Sequence, residues 1–277
     1  MLVKQQVDES IRTELVAVPR RRIGPWIGGA FVVLLTAMLI QSFIVNPNFQ
    51  WDVVAQYFLS DQMLTGLLRT IGLTVGSMLM GVILGTILAV MRRSTNLILS
   101  NSASLYIWFF RGTPLLVQLI LWYNLASLYP RFSVGIPFIN VVFASVSTNS
   151  VISAMTAALL GLGLNQAAYT AEIVRAGILS VPAGQIDSAS SLGMTRNMTM
   201  RRVILPQAMK IIIPPIGNET IGMLKTTSLV SVLAMPELLY SAQLIYARTY
   251  QTIPLLIVAS IWYLLLTTVL TLSLIHI

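Results

Sequence analysis

Cysteine is absent from the 277 residues, and histidine occurs once, as the penultimate residue His276. The first absence excludes disulfides, thiolate chemistry and cysteine-based metal sites. The second leaves the interior of the chain without a histidine for a Ser-His-Asp arrangement or a zinc site. None of the lysines follows a glycine, so the G-x-x-x-x-G-K-[ST] phosphate loop is missing and with it any recognisable means of holding ATP. Charge is scarce as well. Only 9% of residues are charged against 56% hydrophobic, and the mean hydropathy is +0.82. A soluble globular domain carries far more charge, so these values place the chain in a bilayer.

What the chain has instead is long runs free of charge. None falls between Arg22 and Asp52, Arg69 and Arg92, Arg111 and Arg131, Arg131 and Glu172, or after Arg248. About 20 apolar residues cross the hydrocarbon core as a helix. Lipid offers an open backbone no partner, so helices are the required form. The runs predict spans at about 25–45, 66–91, 112–129, 151–172, 211–236 and 253–275. The fifth is interrupted by Pro214, Pro215, Glu219 and Lys225.

The formal charge of +8 is unevenly spread. With alternating spans, Lys4, Arg12, Arg20–Arg22, Arg92, Arg93, Arg175, Arg196, Arg201, Arg202 and Lys210 share one side. Arg131 and Arg248 fall opposite, with Asp52, Asp61 and Glu237. The positive-inside asymmetry puts the first side, and both termini, in the cytoplasm. Arg69 and Arg111 lie near helix ends and are expected to snorkel to the interface.

Residues 1–22 read as a polar cytoplasmic tail, 23–62 as a first span with an external segment, and 63–277 as the main transmembrane domain. The run after Arg20–Arg22 is longer than a signal-peptide core and lacks a small-x-small cleavage site, so it reads as a retained span. In the external segment, residues 46–62, Trp51, Val54 and Phe58 recur at helical spacing. Such a segment suits a membrane surface. Gly76, Gly81 and Gly85 in the second run invite close helix packing. Arg111-Gly112-Thr113-Pro114 breaks the helix before the third span, because proline disfavours helix in the residue before it. Residues 130–150 read as a short external loop. The closing TLSLIHI lacks a polar, basic tail and reads as a truncated or foreign terminus.

One stretch is out of keeping with lipid: DSASSLGMTRNMTMRRVILPQ, from Asp187 to Gln207. Pro182 suits the first turn of a short helix, and Asp187 near its beginning suits the positive helix end. Ser188, Ala189, Ser190 and Ser191 give it a small-residue surface. Gly193 is placed to stop it with a left-handed cap. Thr195 can cap a second helix carrying Arg196, Arg201 and Arg202, which Pro206 ends. Composition alone fits an ordinary basic loop as well as a docking site.

Polar residues inside the spans cost several kcal/mol each when unpaired. In the fourth span Asn165, Tyr169 and Glu172 share a face, and Arg175 can pair with Glu172. In the fifth, Asn218 and Lys225 share a face with Gly222, while Glu219 and Thr226 lie on the adjoining one. Glu219 and Lys225 are six residues apart and point in different directions. These faces fit a hydrated path, and each residue alone fits equally an interhelical bond. The acids form no catalytic pair, since neither nucleophile nor metal site accompanies them.

Residues 167–232 resemble the membrane subunits of bacterial ABC importers for polar amino acids. The shared signature of those subunits is Glu-Ala-Ala, three residues, Gly, nine residues, then Ile-x-Leu-Pro. Asp187, Ser188, Ala189, Gly193, Val203, Leu205 and Pro206 match it in spacing, with Asp for Glu and Ser for Ala. FRGTPLLVQL (110–119), AEIVRAGI (171–178), GNE (217–219) and LKTTSLVSV (224–232) extend the likeness over roughly residues 60–275. The resemblance implies an all-α integral membrane protein of the type I importer permease fold, with about six transmembrane helices and two short cytoplasmic coupling helices. It implies a non-catalytic subunit of a bacterial inner or plasma membrane. The partners it implies are ATPase subunits that hold the ATP, a second permease subunit (identical or related), an external solute-binding protein and an amino acid. The coupling segment, about 182–206, would rest on the ATPase. Ser188 and Ala189 would allow close approach, Gly193 would set the helix angle, and Arg196, Arg201 and Arg202 would meet acids. Glu172, or Glu219 with Lys225, would serve a zwitterion. A secondary transporter or channel driven by an ion gradient is the alternative; it would call for internal repeats and more intramembrane carboxylates.

Overall fold

The computed structural model describes residues 23–136 and 141–275, so the tail expected at 1–22 and His276 lie outside the described residues. Packing divides the chain into two units, Met1–Phe49 and Gln50–Ile277. In the first, α1 (Ile23–Val45) bears no charge and is exposed from Trp26 to Val45. Such an all-round apolar surface is suited to lipid. It ends at Asn46, whose side chain accepts from the Asn48 amide at 3.0 Å. A short 3-10 turn, Pro47–Phe49, follows and sets Phe49 4.7 Å from the Phe43 ring.

The second unit begins with α2 (Trp51–Phe58), the amphipathic helix expected, which buries Val53 and Val54 and leaves Trp51 exposed. Then come α3 (Asp61–Arg92), α4 (Leu97–Gly112), α5 (Leu115–Tyr123) and α6 (Leu125–Leu128). Strands β1 (Arg131–Ile136) and β2 (Val141–Ser147) follow, with α7 (Thr148–Val151) and α8 (Ala154–Leu179). The remainder is α9 (Ala183–Ser191), α10 (Arg196–Thr199), a π turn (Met200–Ile204), α11 (Leu205–Thr226), a 3-10 helix (Thr227–Leu233), α12 (Leu238–Thr249) and α13 (Thr252–Ile275). Asn96 starts α4 by accepting from the Ile98 and Leu99 amides, and Ser153 starts α8 by accepting from Thr156. Both are the side-chain caps that helix starts need.

The centre of this unit is the α3–α8 pair. A Cβ added at Gly81 would lie 2.6 Å from Gln166 Cγ, and one at Gly85 would lie 2.7 Å from the Ala167 carbonyl oxygen. Absence of side chains at these two glycines lets the backbones meet, as their spacing predicts. Around the pair, one apolar cluster joins Leu88, Ala103, Ile107, Ala171 and Ile212. A second joins Leu73, Leu119, Leu162 and Val230. A third secures α2 and α12 to α13 through Val54, Leu67, Leu238 and Leu255. There Phe58 stacks on Trp262 at 4.7 Å, and the indole N–H donates to the Phe58 carbonyl at 2.9 Å.

Three expectations need correction. Among the described residues, α1, α3 and α13 are long and apolar enough to cross a membrane singly, or five segments if two bent pairs each count as one. The expected fourth span corresponds to α8, 26 residues long, which lies outside these five and buries much of its surface on neighbours. A helix enclosed by other helices does not need a lipid-facing apolar surface. The third span does not run from 112 to 129: α5 is nine residues long and turns 102° from α4 at the expected break. Finally, Arg131–Ile136 and Val141–Ser147 pair as antiparallel strands where a plain loop was expected. Arg131, Ser133, Ser145 and Ser147 pair across one face, and Phe132, Val134, Ala144 and Val146 across the other.

Replacing Gly85 by leucine drives a side chain against the Ala167 carbonyl, which cannot rotate away. The expected loss is about 1–3 kcal/mol. It would appear as a lower unfolding temperature in detergent, against no change for leucine at Gly72, where a Cβ meets nothing within 4 Å.

Candidate functional site

The polar stretch singled out in the sequence folds as a bent elbow on the surface. Pro182 is the N-cap of α9 and Asp187 sits at mid-helix, not in the first turn as expected. The helix stops at Gly193 with φ +74°. There the Gly193 amide donates to the Ser190 carbonyl at 2.9 Å and the Met194 amide to that of Ala189 at 3.1 Å. This pair of bonds is the Schellman stop, which favours glycine at the left-handed residue. Thr195 then caps α10, accepting from the Met198 amide at 3.4 Å. Asp187, Ser188, Arg196, Arg201, Arg202, Leu205 and Pro206 are exposed, whereas Ala189 is buried within the chain itself. Its small side chain serves the elbow's own packing.

Pro206 does not end the second helix. The chain passes through the π turn, where the Leu205 amide reaches back to the Met200 carbonyl, and continues as α11. Proline has no N–H to give and crowds the carbonyl four residues earlier. At the N-terminal end of α11, beside a widened turn, both defects are relieved.

Above the elbow, Glu172 gathers three arginines. Its carboxylate accepts from Arg92 of α3 and, at 2.9 Å, from Arg175 one turn along α8; Arg111 of α4 lies 3.7 Å away. The Arg111 guanidinium also sits 5.4 Å over the Tyr169 ring, within cation–π range. The expected Glu172–Arg175 pair is present. Arg92 and Arg111 were missed, and Arg111 ties two helices together where snorkelling was expected. Arg69 likewise donates to the Pro236 carbonyl at 3.1 Å. With its carboxylate so engaged, Glu172 is poorly placed to receive a substrate ammonium.

Asn165 has a structural partner too. The bend between α4 and α5 frees backbone carbonyls, and Asn165 donates to that of Phe110 at 2.9 Å. Gln118 donates to the same carbonyl at 3.0 Å and to that of Thr113 at 3.1 Å. A break in lipid requires such replacement donors. Gln118 was overlooked, although an amide in an otherwise apolar run is a signal in itself. A second break, at Ala234–Glu237, is secured similarly. Glu237 is fully buried, accepts from the Leu239 and Tyr240 amides at 3.0 and 2.7 Å, and takes the Tyr263 hydroxyl at 2.9 Å. Thr70 accepts from the Leu238 amide at 3.1 Å.

The remaining predicted residues lie on α11. Asn218 and Lys225 are exposed, Glu219 and Thr226 partly so, and the Thr226 hydroxyl donates to the Gly222 carbonyl at 3.0 Å. Among the described residues every ion pair involves Glu172, so Glu219 and Lys225 are both without a counter-ion. Two unpaired charges on one apolar helix need water or another molecule beside them.

Changing Glu172 to glutamine leaves three guanidiniums converging on a neutral amide. The expected cost is ~1–2 kcal/mol, reduced by the partial exposure of the group. Thermal unfolding of Glu172→Gln should fall below that of Arg175→Gln, which removes one contact only.

Residues 81–277 match the family described as binding-protein-dependent transport system inner membrane component. The arginine transport system permease protein ArgU of Corynebacterium glutamicum is 47% identical over 256 residues, 92% of this chain and 79% of that one. The histidine/lysine/arginine/ornithine permease HisM of Salmonella typhimurium is 37% identical over 207 residues, covering 74% and 84%. Among solved structures, an amino acid ABC transporter crystallised with histidines is 40% identical, with TM-score 0.65 over 77% of this chain and 91% of its own. The inward-facing MetNI methionine transporter shares the fold at 17% identity, with TM-score 0.59 over 79% and 97%. The chain belongs to the binding-protein-dependent transport system inner membrane components, the permeases of ABC importers.

Proposed function

We propose that this permease carries a polar amino acid, with a cationic side chain foremost, past the exposed face of α11. The observation that carries the reading is the unpaired pair on that helix, Glu219 and Lys225, with Asn218 beside them. A zwitterion needs an acid for its ammonium and a base for its carboxylate. Glu219 suits the first and Lys225 the second, while Tyr169 and Thr226 line the approach. The 47% identity to an arginine permease supports the cationic class.

In this reading the elbow rests on a separate ATPase subunit, which supplies the nucleotide that this chain has no loop to hold. Asp187, Ser188, Arg196, Arg201, Arg202, Leu205 and Pro206 face the partner. A second permease subunit, identical or related, covers the polar face of α11, and an external binding protein delivers the substrate. The arginine-rich end and both termini lie in the cytoplasm, following the charge asymmetry.

Two substitutions test the two halves in complex reconstituted with ATPase and binding protein. Glu219→Gln should lower uptake of labelled arginine by roughly 10- to 100-fold, the loss of one charge-assisted contact; unchanged uptake removes Glu219 from the path. Gly193→Val forces a β-branched residue to positive φ. It should leave ATP hydrolysis running with little uptake, and normal coupling in that variant would dismiss the elbow.

A further inference from the structure

The cluster around Glu172 holds more positive charge than its acid can use. Three guanidiniums face one carboxylate, so two positive charges are left over, and no other acid pairs with them among the described residues. The three arginines are not equivalent. Arg92 donates to one carboxylate oxygen, and Arg175 donates to the other at 2.9 Å. Arg111 stands 3.7 Å from Oε1, near enough for charge attraction but beyond a hydrogen bond. Its N–H groups donate to no acceptor among the described residues. It is also the most open of the three, its side chain 46% exposed against 30% for Arg92 and 36% for Arg175. The guanidinium is nevertheless held in place, 5.4 Å over the Tyr169 ring. A planar guanidinium that is fixed while its donors stay free presents the fork that a carboxylate fills with two parallel bonds. Surplus charge among apolar helices also calls for an anion beside it.

Depth sets Arg111 apart from the pair on α11. A Cβ added at Gly177 of α8 would lie 3.3 Å from the Ala208 carbonyl of α11, so these residues stand level. Further along, Thr170 and Gly217 line one crevice, so the two helices run in opposite directions. From the contact, Glu172 is five residues up α8 (177 − 172), about 8 Å at 1.5 Å each. Glu219 and Lys225 are eleven and seventeen residues up α11 (219 − 208 and 225 − 208), about 16 and 26 Å. Arg111, beside Glu172, therefore lies nearer the arginine-rich end than either charge on α11.

We propose that Arg111 is an inner station of the transport path, where its guanidinium takes the α-carboxylate of the amino acid after Lys225 has released it. The proposal rests on the reading that a polar amino acid passes these helices with Tyr169 beside it. Lys225 offers a point charge and Arg111 a two-pronged one further in, so the carboxylate meets a cation at both depths. Glu172 steadies Arg111 without touching the guest.

The test uses permease purified in detergent with its partner subunits, without external binding protein or nucleotide. It compares equilibrium binding of labelled arginine and argininamide, in which a neutral amide replaces the carboxylate. Arginine should bind about 10-fold more tightly, the worth of one charge-assisted contact. Arg111→Gln should bring the two compounds within about 2-fold of each other, and Arg111→Lys, which keeps the charge but not the fork, should leave an intermediate preference. A residue that only holds helices together would lower both affinities alike and keep their ratio. That result overturns the proposal, as does equal binding of the two compounds, or binding of neither, by the unmodified protein. Arg111→Lys keeps a cation beside Glu172 and Tyr169, so it decides where Arg111→Gln fails to fold; the full preference retained there overturns the proposal too. Preference lost in Lys225→Gln but kept in Arg111→Gln would leave the carboxylate to Lys225 alone, sinking the inner station while the transport reading stands. Unchanged uptake by Glu219→Gln, by contrast, strikes the α11 path and leaves this ratio unmoved.

Discussion

Lipid supplies no hydrogen bonds, and that constraint organises the main unit of this protein. Helices are interrupted twice, at Arg111–Pro114 and Ala234–Glu237, and each gap is closed by side chains from elsewhere. Gln118 and Asn165 serve the Phe110 carbonyl at the first. Glu237, Thr70 and Arg69 serve the second. Breaks that would be fatal in bare hydrocarbon thus become fixed bends. The bends in turn bring α5 and the 3-10 helix against α8 and fix the packing around it.

The same rule separates the polar residues by task. Asn165 and Glu172 have protein partners, so they hold the bundle. Glu219 and Lys225 have no ion pair among the described residues, which is why the proposed transport path is placed beside them. Polarity left without a partner calls for water or another molecule beside it. On this criterion α11 differs from α8, although both carry acids and amides.

Much of this was readable in advance. The elbow followed from Gly193 and Thr195 because caps are local: the bonds that make them span at most five residues. Gly81 and Gly85 announced the α3–α8 contact through their spacing. What escaped depends on distant residues. Arg92 lies 80 positions from Glu172, and Trp262 lies 204 from its acceptor Phe58. The strand pair escaped for another reason. RFSVGI and VVFASVS alternate as strands do, but a charge-free stretch between apolar spans read more simply as loop. Pro206 misled because a proline usually stops a helix, and the π turn that excuses it leaves no mark in composition.

That π turn has a further consequence. It packs one surplus residue into a continuous helical stretch that runs from Arg196 through α11 to the 3-10 helix ending at Leu233. In an α-helix one residue is about 100° of rotation, so the surplus fixes the phase between the elbow's arginines and the polar face of α11. The two stand on one shaft, so under the proposed docking a twist applied at its basic end would reach Asn218 and Lys225 in a fixed direction. Excising a single residue from the turn would leave every side chain chemically intact and aim the shaft's far end at the wrong neighbour.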